Sequence, residues 1–247
     1  MEPKFITLNN KFIKYIMTNK YIGAYVINLE ANEDRKKKFL EEWNDIDYRI
    51  NIIKAIDARG DLWKNYKQHI SEKAIKDLRK VIKNKIRKSH EDLSEGAVGC
   101  YLSHLKCWEI FLKESTSKDD YCLMLEDDSS IPKDLIKISN NIVNKINTKW
   151  GMILLGWNAT AKYLSFNEDL LIPKGFWTTH AYLLSNFGAR KLLEIHDKIE
   201  MPLDVFISKN IKEIKIFGTI NDICVQKNHC GYTNIQTYNM DLKKDKR

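Results

Sequence analysis

Apolar residues in this chain fall in short runs separated by longer stretches of mixed polarity, the pattern of buried strands alternating with amphipathic helices. Residues 24–29 (AYVINL) predict a first strand, and 33–43 a helix with its charges outward. Residues 50–56 (INIIKAI) predict a second strand, closed by the polar turn Asp57-Ala58-Arg59-Gly60. Gly96 and Gly99 read as the bounds of a turn, with a helix over 103–113 that Ser103 would cap. Residues 121–125 (YCLML) predict a buried strand, and 132–146 a helix opened by proline. Further strands are expected at 151–155, ending at Gly156-Trp157, and at 179–184, the latter followed by a helix capped by Ser185 that runs to His196. A short helix at 203–211 and weak strands at 214–217 and 223–226 complete the series. Strands that alternate with helices make this an α/β chain with a mainly parallel sheet flanked by helices.

The 247 residues show no internal repeat or linker, so one domain over 1–247 is the simplest organisation. The net charge of +8 changes the picture locally. Much of it sits in a basic helical insertion at 61–93, where Ile75, Leu78, Ile82 and Ile86 follow helical spacing and lysines fill the other faces. Such a face suits peripheral contact with an anionic membrane or a phosphorylated acceptor; the alternative is a solvated helix packed on the domain. No nucleic-acid module is recognisable, so no nucleic-acid partner is expected. Five cysteines without CxxC spacing point to reduced thiols. Neither a signal peptide nor a membrane-spanning run is visible, and the expected location is cytoplasmic, at most peripheral to a membrane. The last residues, 241–247, read as a flexible tail.

The strongest chemical signal is the end of the strand at 121–125. Glu126, Asp127 and Asp128 follow it at once, and a turn follows them. Three adjacent carboxylates repel one another and are costly to desolvate. A divalent cation reverses that cost, because carboxylate oxygens suit magnesium and manganese. The spacing Glu126-x-Asp128 lets one acid grip metal while the other holds a sugar hydroxyl. An acidic turn that only caps the next helix is the alternative. Upstream, Gly96, Gly99, Ser103 and His104 would place glycine backbone and a helix N-terminus where a phosphate could bind.

Several blocks resemble glycosyltransferase family 25, which includes bacterial lipooligosaccharide and collagen galactosyltransferases. YVINLEANEDR (25–35) is similar to the family's opening strand, and KAIDARG (54–60) to its second. Residues 96–108 resemble its GxxGCxxSHxxxW block, and LEDD (125–128) its metal motif. FWTTHAYLLSNFGARKLL (176–193) and MPLD (201–204) resemble two later blocks. The insertion at 61–93 is the least family-like part.

The resemblance implies a GT-A type Rossmann-like fold and a metal-dependent inverting transferase. It would move a hexose, galactose by analogy, from a UDP-sugar to a glycan, glycolipid or protein hydroxyl. Mn2+ or Mg2+ would be held by Asp128 first, with Glu126 and a third ligand at His229. Asn28, Leu29, Arg35, Asp57, Gly96, Ser103, His104, Glu126, Asp127 and Gly156 would line the donor site. Inversion requires a general base; Asp204 is the first candidate and His180 the second. Asp204 could instead cap a helix, and His180 could be a core histidine. Trp157 and Trp177 could each offer a flat face to a sugar ring or belong to the core. A non-catalytic sugar- or partner-binding protein, or a basic membrane or nucleic-acid surface binder, remain the competing functions.

Overall fold

The computed structural model describes residues 19–46, 48–227 and 238–240. The expectations for His229, the 241–247 tail and the extreme N-terminus lie outside them. In chain order the elements are β1 (Lys20–Asn28), α1 (Glu33–Trp43), β2 (Ile50–Lys54), a 3-10 segment (Leu62–His69), α2 (Glu72–Asn84), β3 (Ile86–Arg87), α3 (Glu95–Glu114), β4 (Asp120–Glu126) and α4 (Leu135–Asn144). There follow β5 (Met152–Ala159), β6 (Tyr163–Ser165), β7 (Leu170–Pro173), β8 (Phe176–Ser185), α5 (Asn186–Ile195), α6 (Leu203–Lys209), α7 (Ile211–Ile214), β9 (Ile216–Thr219) and β10 (Asn239–Met240).

Eight strands form one mixed sheet in the order β2-β1-β4-β8-β5-β9-β7-β6, and β3 pairs with β10 apart from it. Strands β2, β1 and β4 are mutually parallel, β5 is parallel to β9, and β8 runs antiparallel between β4 and β5. The long strands other than β8 therefore share one direction, as in a Rossmann-like sheet. Alternate residues of the central strands feed two cores. Tyr25, Ile27, Cys122, Met124, Tyr182 and Leu184 face α3 and α5, while Ala24, Val26, Leu123, Leu125, Ala181 and Leu183 face α1 and α4. Burial on both faces explains why these strands read as continuous apolar runs.

Several boundaries move. The largest concerns α3, which begins at Glu95 rather than at 103. Ser94, not Ser103, is its N-cap, its hydroxyl accepting from the Ala97 amide at 3.1 Å. Gly96 and Gly99 are helical, and the absence of a side chain at Gly99 serves packing: a Cβ there would collide with the Ile56 carbonyl oxygen and crowd Ala58. In α2 the buried side chains are Ala74, Leu78 and Val81, and the helix stops at Asn84 because Lys85 turns left-handed. Ile86, expected on the apolar stripe, is exposed in β3. Lys73, Lys76, Arg79 and Lys83 stay on the solvent side while Leu78 is in the core, so the helix is packed on the domain. The strand expected at 223–226 reduces to one bridge between Gln226 and Ser129. The hairpin of β6 and β7 has no counterpart in the sequence reading. Ser185 caps α5 as expected, its hydroxyl accepting from the Gly188 amide at 3.0 Å.

No helix among the described residues is long and apolar enough to cross a membrane. Cys100, Cys107, Cys122 and Cys224 are free thiols.

Candidate active site

From β1 the chain continues to β2 on one side of β1 and reaches β4 on the other. Ligand crevices of open α/β sheets form outside the carboxyl ends of strands at such a reversal. Glu126 ends β4 opposite Ile27 of β1, and the Asp127 amide donates to the Ile27 carbonyl at 3.1 Å. The acidic triplet is thereby fixed at the mouth of the crevice.

The three acids have different surroundings. Asp127 is buried, receives a 2.6 Å hydrogen bond from Asn28 Nδ2, and pairs with Arg35. Asp128 lies 3.2 Å from the same guanidinium and accepts from Gln226 Nε2 at 3.2 Å. Its Oδ1 is buried without a partner. Glu126 lies 3.4 Å from His104 Nε2. One arginine thus serves two carboxylates, with a third close by. Burial, then repulsion from Glu126, pushes the Asp128 carboxyl up to about 7. Burial also raises Asp127, against the attraction of Arg35. For Glu126 burial acts upward too, but the His104 hydrogen bond and nearby positive groups outweigh it, so Glu126 stays ionised.

His104 is in the third turn of α3, so the helix N-terminus expected at Ser103 and His104 is corrected. Ser103 accepts from the Ile56 amide at 2.8 Å and donates to the Gly99 carbonyl at 2.7 Å, tying α3 to the loop after β2. His104 Nδ1 lies 2.8 Å from the Tyr182 hydroxyl, which accepts from Trp108 Nε1 at 2.8 Å. The indole can only donate, so the hydroxyl's own proton goes to Nδ1 and the imidazole proton sits on Nε2, toward Glu126.

Two clefts open here. One is lined by Leu29, Arg35, Asp57, Gly96, Ser103, His104 and the acidic triplet among others. Asp57 is held below the usual carboxylate range by its hydrogen bonds to Arg59. The second cleft is lined by Thr178, Thr179, His180, Pro202, Leu203 and Asp204. Cys100, Glu126 and Gln226 line both.

Asp204 lies in the first turn of α6, whose N-cap is Pro202, so the capping alternative is corrected. It accepts from the amides of Thr178 at 3.2 Å and Val205 at 2.9 Å, and burial raises its carboxyl. Thr178 is held at φ 73°, a strained conformation for a β-branched residue, where β8 slips register against β5. His180 Nε2 is 3.0 Å from the Cys224 carbonyl, so Nε2 carries the proton, and Nδ1 is left buried without a partner. Gly156 lines neither cleft; a Cβ there would strike Cys224 and His180, so it makes room for that bond. Trp157 packs over Gly218 and donates to the Thr219 carbonyl at 3.0 Å, a structural position. Trp177 is 38% exposed and stacks on His90 with centroids 4.0 Å apart.

Sequence reasoning missed Cys100, Tyr182, Thr178 and Gln226 as site residues. Cys100 stood inside the GxxGCxxSHxxxW block, and Thr178 and Tyr182 inside the block at 176–193; Gln226 had no local signal, because a bridge to Ser129 brings it in.

The family profile described as glycosyltransferase family 25 (LPS biosynthesis protein) matches residues 21–207. The chain belongs to glycosyltransferase family 25. Among curated relatives, it is 25% identical over 191 residues to a glycosyltransferase 25 family member of Aedes aegypti, covering 74% of this chain and 29% of the relative. It is 24% identical over 198 residues to human procollagen galactosyltransferase 2, with coverage of 74% and 29%. It is also 26% identical over 195 residues to the human inactive glycosyltransferase 25 family member 3, with coverage of 74% and 31%. The family 25 chain thus matches less than a third of the length of these relatives.

Proposed function

We propose that this family 25 chain is a divalent-metal-dependent, inverting transferase that moves a hexose, galactose in the first instance, from a UDP-sugar to a hydroxyl of a glycan, glycolipid or protein. The observation that carries this reading is the under-neutralised acidic triplet: a single guanidinium serves two acids, and Asp128 Oδ1 is buried with no partner.

A hard cation such as Mn2+ fits that donor set. Asp128 would hold it through Oδ1, with Glu126 or Asp127 turned toward it. When bound it would stabilise the charge of the departing diphosphate. The chain's own groups do the rest. Asn28 and Arg35 hold Asp127 in place and limit the repulsion within the triplet. Leu29, Asp57 and the helical face at Gly96 form the donor wall. His104, locked by Tyr182, presents Nε2–H to Glu126 and keeps that carboxylate ionised at the junction of the two clefts.

The acceptor belongs in the second cleft. A base there takes the hydroxyl proton as oxygen attacks the anomeric carbon from the face opposite the leaving diphosphate. Asp204 is the assigned base, since burial raises its proton affinity. His180 Nδ1, a free lone pair in the same cleft, is the second candidate.

The test is thermal stabilisation by UDP-, GDP- and CMP-sugars with and without Mn2+, on wild type and Asp128→Ala. A ligand at 100 times its Kd adds about 2.7 kcal/mol. A Mn2+-dependent shift with one UDP-sugar, lost in the variant, supports the reading. No shift with any nucleotide overturns it. The human inactive relative motivates one second reading, a donor-binding protein without transfer; donor binding with neither transfer nor hydrolysis would favour it.

A further inference from the structure

The crevice holds a second donor set of different chemistry. Cys100 and His104 are four residues apart on α3 and so share a face. Glu126, at the end of β4, lies against them. The thiol sulfur, an imidazole nitrogen and a carboxylate oxygen lie within 4.8 Å of one another. Zinc bonds of about 2.0–2.3 Å at tetrahedral angles give edges of roughly 3.3–3.6 Å between ligand atoms. The His104 Nε2 to Glu126 Oε1 distance, 3.4 Å, already matches such an edge. Cys100, partly buried, lines the same cleft.

The orientation of His104 is fixed from behind. Its Nδ1 is bonded to the Tyr182 hydroxyl, and Trp108 in turn holds that hydroxyl. Hydrogen bonding of the remote ring nitrogen is how metal-binding histidines are commonly aimed. For an ion to bind at Nε2 the ring proton moves to Nδ1, which then donates to the Tyr182 hydroxyl.

We infer that Cys100, His104 and Glu126 form a Zn2+ site with three protein ligands and a fourth position open to water. Thiolate and imidazole select zinc, whereas the all-oxygen set at Asp127 and Asp128 suits magnesium or manganese. Binding releases the thiol proton to solvent, while the His104 proton moves from Nε2 to Nδ1, so binding weakens as pH falls. Cys100 and Glu126 line both clefts, and an ion between them sits at the junction. Zinc there would occupy the passage between the clefts and remove Glu126 from other contacts. Binding of zinc does not depend on the transferase reading, since these three side chains alone define the site.

The experiment uses Co2+ as a coloured stand-in for zinc, on the full chain with Cys230→Ser to remove the thiol outside the described residues. Titration is expected to give a thiolate-to-cobalt charge-transfer band that saturates at one equivalent and is abolished by Zn2+. Cys100→Ser and Cys100→Ala are expected to lack the band while melting like the parent. His104→Gln is expected to weaken Zn2+ binding more than about tenfold, measured against a chromophoric chelator. Absence of the band at saturating Co2+, or its persistence in both Cys100 variants, overturns the site. A protein that fails to bind UDP-sugar but shows the Cys100-dependent band would sink the transferase reading and leave this one standing.

Discussion

His104 Nδ1 and the Tyr182 hydroxyl are 2.8 Å apart, joining the middle of α3 to the antiparallel strand β8 beneath the crevice. Tyr182 is fully buried, and its hydroxyl also satisfies Trp108. Tyr182→Phe would leave a buried indole N–H and a buried imidazole nitrogen without partners. The expected loss is about 1–3 kcal/mol of stability, measured by urea unfolding. A change below about 0.5 kcal/mol would mean that water replaces the hydroxyl.

Asp128 gives the proposed metal site a pH dependence. Its carboxyl is raised from an ordinary 3.8 to about 7 by burial and Glu126. The folded protein therefore holds a proton there that the unfolded chain releases, so without metal this group's contribution to stability falls as pH rises from about 4 toward 7. Metal requires the ionised form. Mn2+ affinity is expected to rise about tenfold per pH unit up to pH 7 and level off above it. Electron spin resonance of free Mn2+ between pH 5.5 and 8 measures this.

Gly99→Ala tests the wall of the proposed donor cleft. The added methyl would meet the Ile56 carbonyl and Ala58. Displacing the segment that carries Asp57 is expected to cost about 1–3 kcal/mol in stability and to weaken UDP-sugar binding. Thermal melts with and without donor separate the two effects.

Asp204 and His180 can be distinguished as candidates for the proposed base. Asp204→Asn is expected to lower kcat for transfer or donor hydrolysis by about 10²–10⁴-fold, with little change in donor KM. His180→Asn is expected to change acceptor KM more than kcat. The reverse pattern, read from steady-state kinetics at saturating donor, would move the base to His180 Nδ1.

The sequence by itself determined the α/β class, the strand bearing the acids, the α1 boundaries and the Ser185 cap, because these rest on local periodicity and capping chemistry. It also determined the family, through motifs in contiguous blocks. It could not place the start of α3. Gly96 and Gly99 read locally as helix breakers, and only the close approach of Ile56 and Ala58 explains why glycine is needed within a helix. Nor could it rank the three acids. Asn28, Arg35, His104 and Gln226 arrive from elements up to 99 residues away from the acids they contact, and their arrangement leaves Asp128 Oδ1 unpaired. The junction of the two clefts at Cys100 and Glu126 was likewise decided by tertiary structure, since it depends on α3 lying across the end of β4. Local pattern sets which residues can be strand, helix or ligand; long-range pairing sets which of them share one solvent-poor space.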